Sequence, residues 1–204
     1  MKNLFLSIVI VVPMLAVAQP KKNKNSAIAP IYEPGWYLPT KGDTIKGDVQ
    51  TNVGTTEAQW NVSFFFKGPK ATKAQEIKMN KAKAYGFSDK KFEILTIEEQ
   101  QFFAQVLEKG RLTLYMIYEE KEEKDKKVAK PVYYMIDNQA DPKKDKTAKL
   151  MEVPHEKPYK RALKEFFKDQ PMLLENVDKW FLNIDQVKQA VQEFNRMYPA
   201  QSGN

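Results

Sequence analysis

Gly35-Trp36-Tyr37-Leu38-Pro39-Thr40-Lys41-Gly42-Asp43-Thr44-Ile45-Lys46-Gly47-Asp48-Val49 reads as strand, turn, strand. Lys41-Gly42-Asp43 is the break: glycine takes a positive φ without a Cβ penalty, and aspartate bonds its own backbone further on. After the turn the residues alternate. Ile45 and Val49 point one way with Gly47 between them; Thr44, Lys46, Asp48 and Gln50 point the other. Before the turn, Trp36 and Leu38 share a face. A lone hairpin is marginal in water, so this one must lay an apolar face on something else.

The following segments supply further strands. Ala58 to Lys67 alternates strongly, with Trp60, Val62, Phe64 and Phe66 on one side, until Gly68-Pro69 ends it. Phe92 to Thr96 is a short strand. Glu98 to Lys109 changes period: Phe102, Phe103, Val106 and Leu107 form a helical stripe, Thr96 and Glu99 make a capping box, and Gly110 stands where a C-terminal cap belongs. Arg111 to Glu119 is apolar on both faces, which predicts a central strand covered on each side. Glu120 to Lys130 is a run of mixed charge, read as an exposed hairpin loop or flap. Pro131 to Asp137 returns as a strand, and Lys149 to Val153 is a last short one. From Pro158 the period is helical, with Tyr159, Leu163, Phe166 and Phe167, then Leu173 to Phe181, then Val187, Val191, Phe194, Met197 and Tyr198 behind an Asp185 cap.

Strands first and helices last predict an α+β class. The expected architecture is an antiparallel sheet domain over 35–157 with one inserted helix at 98–109. A C-terminal bundle of about three helices over 158–198 would pack on the sheet.

The N-terminus reads as a leader. Lys2 precedes an apolar run from Leu4 to Val12, Pro13 breaks it, and Ala16-Val17-Ala18 is a small-x-small cleavage site before Gln19. The run is shorter than the roughly 20 residues a bilayer span needs. Residues 1–18 are thus expected to be a signal peptide cleaved between Ala18 and Gln19, and 19–34 a disordered polar stretch. Removing 18 of 204 residues leaves 186, which suits one domain that buries enough core to need no staples. The sequence has no cysteine. That excludes disulfides and a lipid-modified cysteine anchor.

The chain carries 33 Lys and Arg against 26 Asp and Glu, a net charge of +7. The cations are almost all lysine, interleaved with acids, and Arg occurs only at Arg111, Arg161 and Arg196. This is a solvated surface with at most weak attraction to an acidic envelope, not an Arg-based nucleic-acid reader.

Several chemistries lack their residues. One histidine and no cysteine leave no Zn or Cu site. Asp137 to Asp141 offers oxygens but lacks the glycine and glutamate of a calcium loop. No serine sits in a Gly-x-Ser-x-Gly elbow, His155 lies in a Pro-rich loop, and no phosphate-cradling glycine loop occurs. No cofactor, metal or catalytic residue is therefore assigned. Paired carboxylates remain open by count, with Asp137 at a strand end as one acid. Trp36, Trp60, Tyr115, Tyr133 and Tyr134 are candidates for an aromatic platform. Tyr115 and Tyr133 are assigned as binding residues, because their strands are apolar on both faces.

Three segments taken together, Gly35-Trp36-Tyr37 leading into Lys41-Gly42-Asp43-Thr44-Ile45-Lys46-Gly47, then Ala84-Tyr85-Gly86-Phe87, then Lys109-Gly110-Arg111-Leu112-Thr113-Leu114-Tyr115, resemble a group of uncharacterised exported proteins of Bacteroidetes-type bacteria. In that group a GY…GDT…G opening precedes a GkisLY strand and a helical tail. The resemblance covers most of the chain after the leader and implies location and architecture, not an activity. Two functions are carried forward. The first is a non-catalytic binding or scaffold domain of the cell envelope, in the periplasm or at the cell surface. Its partner would be an envelope protein or glycan, with no nucleic acid, no lipid anchor and no transmembrane segment after cleavage. The alternative is a carboxylate-dependent envelope glycan hydrolase.

Overall fold

The computed structural model describes residues 29–52, 56–97, 99–139, 149–151 and 184–200, with isolated positions between 164 and 177. The strands are β1 (Tyr32–Pro39), β2 (Ile45–Gln50), β3 (Ser63–Lys67), β4 (Gln75–Lys78), β5 (Ala82–Phe87), β6 (Lys90–Ile97), β7 (Gln100–Glu108), β8 (Leu112–Glu123), β9 (Lys126–Asp137) and β10 (Lys149–Met151). They form one sheet in the order β10-β9-β8-β7-β6-β5-β1-β2-β3-β4, and every pairing is antiparallel. The described residues hold one α-helix, α1 (Ile184–Met197). Among them no helix is long and apolar enough to cross a membrane.

The opening hairpin forms as its sequence dictates. β1 and β2 pair from Tyr32–Gln50 to Tyr37–Ile45, and Gly42 takes φ 95° in the turn. Val49 is buried, but the β1 residue that joins it inside is Tyr37, which packs against Phe64 and Phe66. Trp36 and Leu38 share the other face.

The fold is mostly β, and the α+β expectation with its bundle of about three C-terminal helices is overturned. The inserted helix at 98–109 is strand β7. Ile97 pairs with Gln100 across a two-residue connection, with Glu99 at φ 69°. Phe103 and Gln105 then face one side of the sheet, and Phe102, Ala104 and Val106 the other. A strand that is apolar on both faces shows the same dense stripe as an amphipathic helix, and sheet pairing on both edges decides between them. The run over 120–130 is not a loop either: β8 and β9 stay paired out to Glu123–Lys126. Of the C-terminal helices, the last is present. Val187, Ala190, Val191 and Phe194 form its buried stripe, while Met197 lies exposed. The first two helices expected there fall largely outside the described residues.

The sheet curls. Phe64 on β3 stacks on Tyr85 of β5 at 4.1 Å between ring centroids and meets Phe103 of β7 edge-on at 5.7 Å. In the sheet order β3 is three strands from β5 and five from β7, so these contacts require β3 to fold over the sheet's inner face. Tyr85, Phe92, Phe103 and Trp60 complete this aromatic core. A second inner core lies under α1, where Leu112, Leu114 and Met135 meet Val191 and Phe194, joined by Phe167 and Val177. Tyr118 touches both cores. On the opposite face of the sheet Leu95, Ala104, Tyr115, Ile117, Val132 and Tyr134 form a third cluster.

Candidate functional site

The ladder between β7 and β8 is short. It joins Gln105 to Met116 and Val106 to Tyr115, then shifts by a bulge before Glu108 and Leu114. Beyond Met116 the two strands part. β7 continues paired only to β6, and β8 continues paired only to β9. A 3₁₀ turn, Glu57–Asn61, fills the base of the gap. Its Trp60 turns inward, edge-on to Phe87, Phe92 and Tyr118. Its Asn61 replaces the missing strand: the side-chain Oδ1 accepts the Tyr118 N–H at 3.2 Å, and Nδ2 donates to the Tyr118 carbonyl. A buried amide that satisfies one donor and one acceptor of a strand ends the ladder without orphaning them.

Outside Asn61 the gap opens into a cleft of about 740 Å³. Ile97 and Phe102 form one wall and Ile117 and Tyr134 the other. Val62 lies on the floor with 54 % of its surface exposed. Gln59, Gln100, Glu119 and Glu120 supply the polar rim. Glu120 is engaged at both oxygens, by Thr56 Oγ1 at 2.9 Å and Lys127 Nζ at 2.8 Å, and these bonds hold its carboxyl below the usual range. Adjacent residues on a strand project to opposite faces, so Glu119 and Glu120 do not form the opposed pair that glycoside hydrolysis needs.

The two assigned tyrosines are not brought together. Tyr115 pairs across from Tyr134 on the outer face, and Tyr133 pairs across from Met116 on the inner one. Both are buried, at 9 % and 7 % exposure, so neither presents the open ring expected of it. A strand apolar on both faces is covered on both faces, and its tyrosines go into the core. Burial, with the Glu93 charge nearby, pushes the Tyr115 hydroxyl up to about 12. Burial also raises that of Tyr133, with Tyr118 and Asp185 adding to the effect. Trp60 and Tyr134 are buried too, leaving Trp36 as the half-exposed member of the five.

Asp137 caps a turn. Its carboxylate accepts the Gln139 N–H at 2.9 Å and lies 3.4 Å from an Arg111 nitrogen. Among the described residues no group of three His, Cys, Asp or Glu converges as a metal site would require. His155 and the Ala18–Gln19 junction lie outside the described residues.

Of the residues that build the cleft, the sequence points to Tyr134 alone, as a candidate for an aromatic platform. Asn61 and Val62 read as mid-strand, Ile97 and Phe102 as flanking or joining a helix, and Glu119 and Glu120 as the edge of a charged loop. One signal was available. Glu119-Glu120-Lys121-Glu122-Glu123 followed by Lys126-Lys127 pairs acid with base across a two-residue turn, which marks a hairpin. Comparison with family models, curated proteins and solved structures finds no match.

Proposed function

We propose that this chain is an exported cell-envelope protein that binds a protein partner without covalent chemistry, and that the cleft between β7 and β8 receives an extended segment of that partner. The leader-like N-terminus and the resemblance to exported Bacteroidetes-type proteins support the location. One observation carries the binding reading: the outer half of β8 keeps a strand edge free of β7, above a cleft with an exposed apolar floor. A free strand edge is a template for main-chain pairing, and neighbouring apolar walls add selectivity through alternate side chains. Proteins normally blunt such edges. Here the far edge of the same arm is blunted, since Pro131 stands opposite Tyr118 on β9 and brings no N–H, while among the described residues no strand pairs with the β8 edge beyond Met116.

The test is selection of extended peptides from a displayed library by the full chain. Val62→Glu puts a charge on the apolar floor, and Trp36→Ala alters a distant face. Peptides retained by wild type and Trp36→Ala but lost by Val62→Glu support the cleft. Peptides retained equally by all three place binding elsewhere and defeat the reading.

A further inference from the structure

The cleft selects by charge as well as shape. Its described lining holds two carboxylates and no Lys or Arg, on a chain whose net charge is +7. Glu120 is already matched by Lys127 and Thr56. Glu119 is not. It is half-buried and shares a face with Ile117, and its carboxylate makes no hydrogen bond or ion pair among the described residues. Lys130 stands directly across from it on β9, yet the Lys130 ammonium pairs with Glu123 instead. A half-buried carboxylate with no cation beside it is placed to accept a charge-assisted bond from one.

We infer that the extended segment held in the cleft carries a Lys or Arg side chain against Glu119, flanked by apolar side chains toward Ile97, Phe102 and Ile117. This rests on the binding reading above. A cation delivered there gains a charge-assisted bond and matches the Glu119 charge, whereas an acidic segment meets that carboxylate unpaired. An edge strand offers main-chain pairing to any sequence, so Glu119 supplies the discrimination that the backbone lacks.

The experiment uses two fluorescent peptides of alternating valine and threonine, one with a central lysine and one with a central glutamate. Their binding to the full chain is followed by anisotropy. The lysine peptide should bind about tenfold or more tightly than its twin, the ratio one charge-assisted contact supplies. Glu119→Gln, which keeps the size of the side chain, should erase that preference, and Glu119→Lys should reverse it. Circular dichroism of each variant checks that the fold is kept. A preference that survives Glu119→Gln, while Val62→Glu abolishes binding of both peptides, overturns the charge assignment and leaves the cleft standing. Binding indifferent to Val62→Glu, or no binding of either peptide, overturns the cleft reading and this inference with it.

Discussion

Asn195 on α1 grips Leu112 by both of its main-chain groups: Oδ1 accepts the Leu112 N–H at 2.8 Å and Nδ2 donates to the Leu112 carbonyl at 2.8 Å. Asn61 does the same to Tyr118, six residues along the strand. β8 therefore pairs with β7 only through Leu114–Met116 and is held at each end of that stretch by a side-chain amide. One amide fastens the helix to the sheet. The other ends the ladder and begins the cleft.

Asn195→Ala should lower stability by about 1–3 kcal/mol, the cost of leaving partly buried main-chain groups unpaired. Urea unfolding reads the loss, and hydrogen exchange should show faster exchange at the Leu112 amide. Asn195→Asp keeps the acceptor but sets a carboxylate against the Leu112 carbonyl, so it should not rescue. Gly110 leaves room for this contact, since a Cβ there would lie 2.4 Å from the Asn195 Cγ. Gly110→Ala should thus cost stability by the same route, and the double variant should lose less than the sum of the two. Strict additivity would show that Gly110 and Asn195 act separately.

Phe64→Ala should destabilise by roughly 3–5 kcal/mol. The ring is fully buried and touches Tyr37, Tyr85 and Phe103, so its removal leaves a cavity where the curled sheet closes. Phe65→Ala, on the half-exposed face of the same strand, should cost much less. Equal losses at the two positions would mean that β3 does not fold inward as described.

Stability should fall as pH rises above 10. The Tyr115 hydroxyl is pushed up to about 12, and those of Tyr85, Tyr118 and Tyr133 are raised as well, in each case chiefly by burial. The unfolded chain loses these protons near pH 10 while the folded chain keeps them. Over that window the unfolded state binds fewer protons, so unfolding free energy declines with pH. A phenolate absorbance titration should show these four hydroxyls ionising in a late step that coincides with loss of near-UV circular dichroism. Titration of all tyrosines in one step with the fold retained would contradict the burial of this set.

Much of the sheet was legible because alternation is a local property. Val49, Phe64, Phe66 and Leu112 to Tyr118 announce their faces by period two, and Gly42 announces the turn. The segment Gln100–Glu108 misleads because its residues fit both periods, and the deciding fact is nonlocal: β6 and β8 lie on either side of it. The turn before it offers no glycine or asparagine to betray a positive φ, since Glu99 takes that conformation itself. The cleft was illegible for a related reason. Val62, Phe102 and Ile117 come from three separate stretches, and they converge only because the β7–β8 ladder stops at Gln105–Met116, where Asn61 takes over the Tyr118 main chain. Tyr115 and Tyr133 do sit on strands with apolar neighbours on both faces, but that property buries them.

The tip of the β8–β9 arm can be stiffened by its own turn. Lys124 and Asp125 sit at φ 48° and 62° between the paired residues Glu123 and Lys126, the geometry of a two-residue type I′ turn. Left-handed backbone costs an ordinary side chain on the order of 1 kcal/mol per residue, less for asparagine and none of it for glycine. Lys124→Asn with Asp125→Gly should therefore slow hydrogen exchange along the arm, with little change in global stability, because the arm is exposed and remote from both inner cores. The substitution also bears on binding. The free edge proposed to receive a partner belongs to this arm, so a pre-ordered arm would spare that partner part of the ordering cost and should slow its dissociation. Arm exchange unchanged by the new turn would show that the arm is held by its cross-strand pairs alone. Faster exchange would show that the Lys124–Asp125 turn is not of the type its backbone angles indicate.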